Sequence, residues 1–116
     1  MFRYSDKFGT NIAEINGVII CCDEVTEELE ALAQKVADIY PQKIDEIIEF
    51  LIDEGITDYF GELSEDDIKN ALGKPLINIG NQSVSYLEHT LDDVHTIDFE
   101  YGDSEFDDFM DMTIDG

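Results

Sequence analysis

Hydrophobic and polar residues alternate with a period of two along the C-terminal part of the chain. Over residues 95–101, the odd positions are His95, Ile97, Phe99 and Tyr101, and the even positions are one Thr and two acids. Such alternation predicts a β-strand with one buried and one solvated face. An antiparallel meander is predicted from the four segments 76–79, 83–90, 94–101 and 109–114 and their short polar connections.

The N-terminal residues 2–22 also have the character of strands. Residues 11–15 and 18–22 are rich in apolar side chains and flank the dipeptide Asn16-Gly17. Asn-Gly favours the two positive φ angles of a type I′ turn, so these segments are predicted to form a hairpin. Residues 18–22 are apolar at every position, which predicts a central strand of the sheet.

A helical period of 3.6 residues replaces the alternation in the middle of the chain. Thr26 is predicted to cap a first helix that ends at Pro41, and Pro41 is predicted to open a second helix. A third helix is predicted over residues 65–72, where Ser64 and Asp67 form a capping box. The apolar faces of the first two helices are expected to cover the sheet.

Together these elements predict one acidic α+β domain over residues 1–116. Two to three helices pack on a mainly antiparallel sheet that ends in the C-terminal β-meander, and residues 56–61 link the helices. A chain of 116 residues with 43% hydrophobic content can bury a core of its own.

The net charge of the chain is its most unusual property and indicates what kind of partner its surface suits. Asp and Glu number 29 against six Lys and Arg, which gives a formal net charge of −23. No Lys or Arg follows Lys74, whereas eleven acids do: Glu88, Asp92, Asp93, Asp98, Glu100, Asp103, Glu105, Asp107, Asp108, Asp111 and Asp115. A surface of this sign repels nucleic acid and anionic membranes and attracts basic proteins and cations.

The two cysteines, Cys21 and Cys22, are adjacent, and a disulfide between neighbours is strained. They are predicted to be buried and reduced, which suits a cytoplasmic location. Residues 1–6 lack the basic start and apolar region of a signal peptide, and no apolar run approaches the ~20 residues of a membrane span. The glycines form no phosphate-binding pattern, and no cofactor is predicted.

The predicted partner-binding surface combines acids with aromatic residues. Its members are Tyr59, Asp92, Asp93, Glu105, Phe106, Asp107 and Asp108. The acids are expected to attract a basic partner, and Phe106 or Tyr59 is expected to anchor it, because aromatic residues contribute strongly at interfaces. The same aromatic rings are also suited to plug the edges of a small core.

Two histidines provide an enzymatic alternative. His89 and His95 can meet across a hairpin and bind a metal with Asp92 or Asp93, as in a metal-dependent hydrolase. Histidines on half-buried strands are more often packing residues. No local signature joins a nucleophile to a base, so no catalytic residue is predicted.

The segments Leu72-Gly-Lys-Pro-Leu-Ile-Asn-Ile79 and Tyr86-Leu-Glu-His-Thr-Leu-Asp-Asp-Val-His-Thr-Ile-Asp-Phe-Glu100 resemble a family of small acidic bacterial proteins classed as a domain of unknown function. Similar proteins are proposed as immunity proteins beside secreted polymorphic toxins. The resemblance covers about the second half of the chain and rests on its sheet pattern. It implies an inhibitor or interaction role and supplies no catalytic residues.

The sequence therefore predicts an intracellular acidic protein-binding module that is not an enzyme. Its most concrete form is an immunity protein that neutralises a basic toxin such as a nuclease. One alternative is a DNA mimic that blocks a nucleic-acid-binding protein, and the other is the metal-dependent hydrolase that uses His89 and His95.

Overall fold

In the computed structural model, which describes residues 1–103 and 105–116, seven strands form one sheet in sequence order. They are β1 (Arg3–Ser5), β2 (Thr10–Ile15), β3 (Val18–Cys22), β4 (Leu76–Asn78), β5 (Ser83–Tyr86), β6 (Thr96–Asp103) and β7 (Asp107–Asp115). The β3–β4 pair is parallel, and the other neighbouring pairs are antiparallel. The predicted hairpin, the central position of β3 and the meander of β4 to β7 are confirmed.

The connection between the parallel strands β3 and β4 contains three helices, α1 (Glu27–Asp53), α2 (Ile56–Phe60) and α3 (Glu65–Leu72). Helix α1 contacts β2, β3 and β7, and α2 and α3 both contact α1. The helices therefore cover one face of the sheet, and the predicted α+β fold is confirmed. Among the described residues, no helix has both the length and the apolar character needed to cross a bilayer.

The prediction of separate helices before and after Pro41 is wrong, because α1 continues through this residue. Apolar residues on both sides of the proline lie on one stripe. Val36 is buried before it, and Ile47 and Leu51 are buried after it. Burial of this continuous stripe outweighs the loss of the backbone N–H at Pro41.

Other predicted helix boundaries are confirmed by their caps. The Thr26 hydroxyl accepts a hydrogen bond from a backbone N–H in the first turn of α1. Ser64 and Asp67 form the predicted capping box of α3. Residues 56–61 were predicted only as a link, but they contain the short helix α2, which follows Gly55 in a left-handed conformation with φ of 99°.

The core lies between the helices and the face of the sheet that they cover. We call this the first face and the opposite one the second face. Ile20, Ile77, Val84 and Phe99 form a row across β3 to β6, because each is paired in register with the next. These four side chains are at most 1% exposed. This row and the buried residues of α1 belong to one hydrophobic cluster, so its burial stabilises the packing of the two layers.

Two buried tyrosines join α1 to the sheet inside this core. The hydroxyl groups of Tyr40 and Tyr86 are 2.6 Å apart, so each provides the polar partner that the other needs away from water. Burial raises the pKa of Tyr40 to about 12 despite its hydrogen bond with Tyr86, and burial also raises the pKa of Tyr86. Both hydroxyls therefore stay protonated at neutral pH.

Cys21 and Cys22 are free and buried, as predicted. Neighbouring side chains on a strand point to opposite faces, so Cys22 lies in the core and Cys21 lies on the second face of the sheet. Burial raises the pKa of Cys21 to about 11 and also raises the pKa of Cys22.

Pro41→Ala is expected to raise the free energy of unfolding by about 1–3 kcal/mol, because alanine restores a helical hydrogen bond and removes the clash of the ring. Urea unfolding with an unchanged m-value measures this difference. Gln42→Ala is the matched control and should change stability by less than about 0.5 kcal/mol. A loss of stability in Pro41→Ala would instead indicate that the proline starts a separate helix.

Both cysteines are expected to react slowly with a thiol reagent near neutral pH, because they are buried and their raised pKa values keep the thiolate scarce. Mass spectrometry after timed labelling measures the rate, and the same reaction in urea gives the rate for accessible thiols. Rapid labelling of both cysteines in the folded protein would contradict the central position of β3.

Candidate functional site

The connection between β5 and β6, residues 87–95, is held in place by hydrogen bonds. The predicted strands 83–90 and 94–101 were too long on this side, since β5 ends at Tyr86 and β6 begins at Thr96. Asp92 organises the connection, because its Oδ1 accepts the backbone N–H groups of residues 94 and 95 at 3.1 and 2.9 Å. A carboxylate that bonds the backbone two and three residues ahead forms a stable turn.

His95 joins this loop to helix α2. Its Nδ1 lies 2.6 Å from Oδ2 of Asp92, and its Nε2 lies 2.9 Å from the hydroxyl of Tyr59. The Tyr59 ring packs edge-on against the imidazole, with the ring centroids 5.2 Å apart. Partial burial would raise the pKa of Asp92, but hydrogen bonds from the His95 side chain and from the backbone outweigh it and hold this pKa below its usual value.

His89 uses both ring nitrogens to fix the loop from inside. The backbone N–H of Leu91 donates to its Nδ1 at 3.1 Å, so Nε2 carries the proton and donates to the carbonyl of His95 at 2.6 Å. The side chain is buried, and its ring packs against that of Phe60. His89 therefore has a packing role with a defined tautomer.

The two histidines lie close together, as the metal-binding alternative requires, but their nitrogens already have partners within the protein. A metal ligand needs a free lone pair on one ring nitrogen. At His89 both nitrogens bond the backbone, and at His95 they bond Asp92 and Tyr59. Across residues 1–103 and 105–116, no group of three His, Cys, Asp or Glu side chains is placed to hold a metal ion.

Large apolar side chains remain exposed around this fixed loop. Tyr59 is 53% exposed, Leu87 is 45% exposed and Val94 is 66% exposed. Leu87 and Val94 line a shallow recess of 640 Å³ together with Asp92 and Asp93. We call these five residues the loop patch. It contains three of the seven residues predicted to bind a partner: Tyr59, Asp92 and Asp93.

The other four predicted residues, 105–108, lie at the far end of β6. This strand has 8 residues, so at about 3.3 Å per residue its ends are roughly 23 Å apart. The structure therefore does not bring the two groups of predicted residues into one surface.

The prediction of Phe106 as an exposed anchor is wrong, because its side chain is fully buried. Its φ of 61° turns the chain at the start of β7. The ring lies 4.8 Å from that of Tyr101 and 6.0 Å from that of Tyr40, measured between centroids. Phe106 thus plugs the edge of the core, which was the other role considered for these aromatic residues.

Two of the predicted acids at this end form ion pairs with α1. Glu105 lies 3.3 Å from Lys35, and Asp107 lies 3.5 Å from Lys43. Exposed pairs of this kind contribute little stability, but they neutralise part of the acidic surface. Asp108 remains exposed. This end of the molecule is therefore less suited to attract a basic partner than the loop patch.

Sequence reasoning missed the chain of contacts from Tyr59 through His95 to Asp92. Tyr59 and His95 are 36 positions apart, and only the fold brings them together. The local signal was the spacing of Asp92 and His95, since an acid three residues before a histidine can bond both its backbone and its ring. Leu87 and Val94 were missed because they were assigned to strands.

Gly73 places the end of α3 directly against the loop. Its φ is 72°, and a Cβ atom at this position would lie 2.9 Å from the carbonyl oxygen of Glu88. A second backbone contact lies nearby, where the N–H of Thr90 donates to the carbonyl of Ala71 at 2.8 Å. The loop is therefore fixed to α3 through backbone atoms.

Comparisons of the chain with family models, curated proteins and solved structures return no match. The resemblance to the immunity proteins of polymorphic toxin systems therefore stays a prediction.

Asp92 is expected to titrate below the usual aspartate pKa. Because its folded-state pKa is lower than its unfolded-state pKa, its hydrogen bonds stabilise the loop above the unfolded value, and this contribution is lost as pH falls through the folded value. Carbon-13 NMR of the carboxyl group measures the midpoint. His95→Gln should raise it, whereas Tyr59→Phe should leave it nearly unchanged. A midpoint at or above the usual value in the unmodified chain would contradict the described hydrogen bonds.

Proposed function

We propose that this chain is an acidic protein-binding module whose loop patch binds a basic protein. Its most concrete role is that of an immunity protein that inhibits a basic toxin such as a nuclease. The observation that carries the proposal is the loop patch itself, where exposed apolar side chains stand among acids on a loop fixed by hydrogen bonds. This role requires no turnover and no cofactor.

The fixed conformation of the loop favours tight binding. Association usually costs free energy because loops and side chains become ordered at the interface. Here Asp92, His89 and His95 already order the loop in the free protein, so little of that cost remains. Tyr59 presents a large ring in a defined position, and rings of this kind are frequent among the residues that contribute most to binding.

The charge around the patch favours a basic partner. The chain carries −23 overall, and no Lys or Arg follows Lys74. Asp93 and Glu88 are exposed beside the apolar residues of the patch. Such a field raises the rate of encounter with a positively charged surface. Nuclease active sites are positively charged because they hold phosphates, so they are partners of the required sign.

The two alternatives are supported less well by these contacts. A hydrolase that uses His89 and His95 would first have to free ring nitrogens from their present hydrogen bonds. A mimic of DNA needs spaced charges rather than apolar anchors, whereas the patch exposes Leu87 and Val94. Exposed apolar groups among charges are typical of a protein interface.

Val94→Ser is expected to weaken partner binding by about tenfold or more, because it removes the most exposed apolar side chain of the patch. Asp93→Asn is expected to slow association at low salt, and the difference should shrink as salt screens the charge. The partner is first captured from the native host on the immobilised chain, at low and high salt and with and without a chelator. The purified partner is then used to measure association and dissociation rates.

Matched controls exist elsewhere on the surface. Val25→Ser removes a valine that is 44% exposed outside the patch, and Asp108→Asn removes an acid at the far end of β6. Both should bind the partner as the unmodified chain does. The proposal fails if the controls and the patch variants have equal effects, or if nucleic acid or lipid alone is captured. Chelator-sensitive hydrolysis that is lost in His95→Ala would favour the hydrolase.

A further inference from the structure

The sheet face that points away from the helices is partly apolar on one half and polar on the other. One row of residues paired in register runs from β2 to β7: Glu14, Ile19, Leu76, Ser85, Asp98 and Thr113. The next row runs from β1 to β6: Arg3, Ile12, Cys21, Asn78, Ser83 and Glu100. In both rows the apolar residues lie on β2 to β4, and the positions on β5 and β6 are polar.

The polar half follows the rule for a solvated face. One face of an antiparallel sheet packs on the core, and the other is usually polar. The hydroxyls of Ser85 and Thr96 both donate to the carboxylate of Asp98, so these groups satisfy one another. On β2 to β4 the same face carries apolar residues, so this half departs from the rule. Ile19 and Leu76 remain half-buried there, although the described helices pack on the other face of the sheet.

A groove of 460 Å³ lies over this apolar half. Ile12, Ile19 and Leu76 form its floor, and Phe8 and Leu87 lie at its sides. Its volume falls within the range of about 300–1,000 Å³ that is usual for small-molecule sites. The floor is apolar, as such sites generally are.

Positive charge collects around the groove although the chain is strongly acidic. Arg3, Lys7 and Lys74 line it, which is half of the six Lys and Arg residues. Lys74 pairs with Glu14 at 2.6 Å. In the part of the chain that the structure describes, no carboxylate lies within 4.0 Å of Arg3 or Lys7. In a chain with 29 acids, two cations without such a partner beside an apolar floor indicate a site for an anion.

We propose that this groove binds a small amphipathic carboxylate, an apolar chain or ring that carries one carboxylate group. The carboxylate would bond Arg3 and Lys7, and the apolar part would cover Ile19 and Leu76. The charges favour a single carboxylate over a polyanion, because Glu14 and Glu88 also line the groove and leave an excess of one positive charge. A more highly charged ligand would be repelled by the remainder of the chain. This proposal does not depend on the proposed partner-binding function, although Leu87 lines both the groove and the recess of the loop patch.

The test uses sodium decanoate as the probe and decanol as its uncharged counterpart. Isothermal titration calorimetry should show saturable binding of one decanoate per chain, about tenfold or more tighter than decanol. The double variant Arg3→Gln/Lys7→Gln should lose this preference for the carboxylate. The control Lys35→Gln/Lys69→Gln removes the same charge outside the groove and should keep it. Amide NMR shifts on decanoate binding should be centred on Ile12, Ile19 and Leu76.

Several results would overturn the proposal. They are the absence of saturable decanoate binding, equal affinity for decanol, equal effects of the two double variants, or NMR shifts centred elsewhere. Binding of an acidic and apolar peptide in the groove, without binding of decanoate, would replace the small molecule with a protein segment. Val94→Ser leaves the groove intact, so failure of the partner-binding proposal does not alter the expected decanoate result.

Discussion

The architecture depends on one constraint, which is that all three helices belong to a single connection between parallel strands. A chain that leaves β3 and returns beside it as β4 must cross the sheet on one side, so α1, α2 and α3 cover the same face. The row from Ile20 to Phe99 becomes the core because it faces this layer. Within residues 1–103 and 105–116, no helix covers the opposite face.

The same constraint separates the two candidate sites. The loop patch lies at the β5–β6 connection, which α2 and α3 approach. The groove lies on the uncovered face, where β3 carries apolar residues on both sides. Leu87 lines both the recess of the loop patch and the groove, so the two sites are neighbours. The charged residues that line the groove leave an excess of one positive charge, whereas those of the loop patch are acidic, so the two proposed ligands differ in charge.

Local sequence signals predicted most of the fold and little of the site. The Asn-Gly hairpin, the capping box at Ser64 and the alternation of β6 each depend on residues close in sequence, and each is confirmed. The continuity of α1 through Pro41 depends on burial against the sheet, which no local pattern contains. Phe106 was expected at the surface because acids surround it, yet a left-handed turn directs its ring inward. The contact of Tyr59 with His95 likewise depends on tertiary structure.

The close approach of Gly73 to Glu88 has a mechanical consequence. Contacts made through side chains between two elements can adjust, because the side chains can change rotamer. Here a Cβ at residue 73 would lie only 2.9 Å from the carbonyl oxygen of Glu88, so the backbone of the loop approaches the end of α3 directly. Leu72, the preceding residue, is anchored in the core. A force applied to the loop is therefore transmitted through backbone atoms to the core, and the loop and α3 are expected to move together.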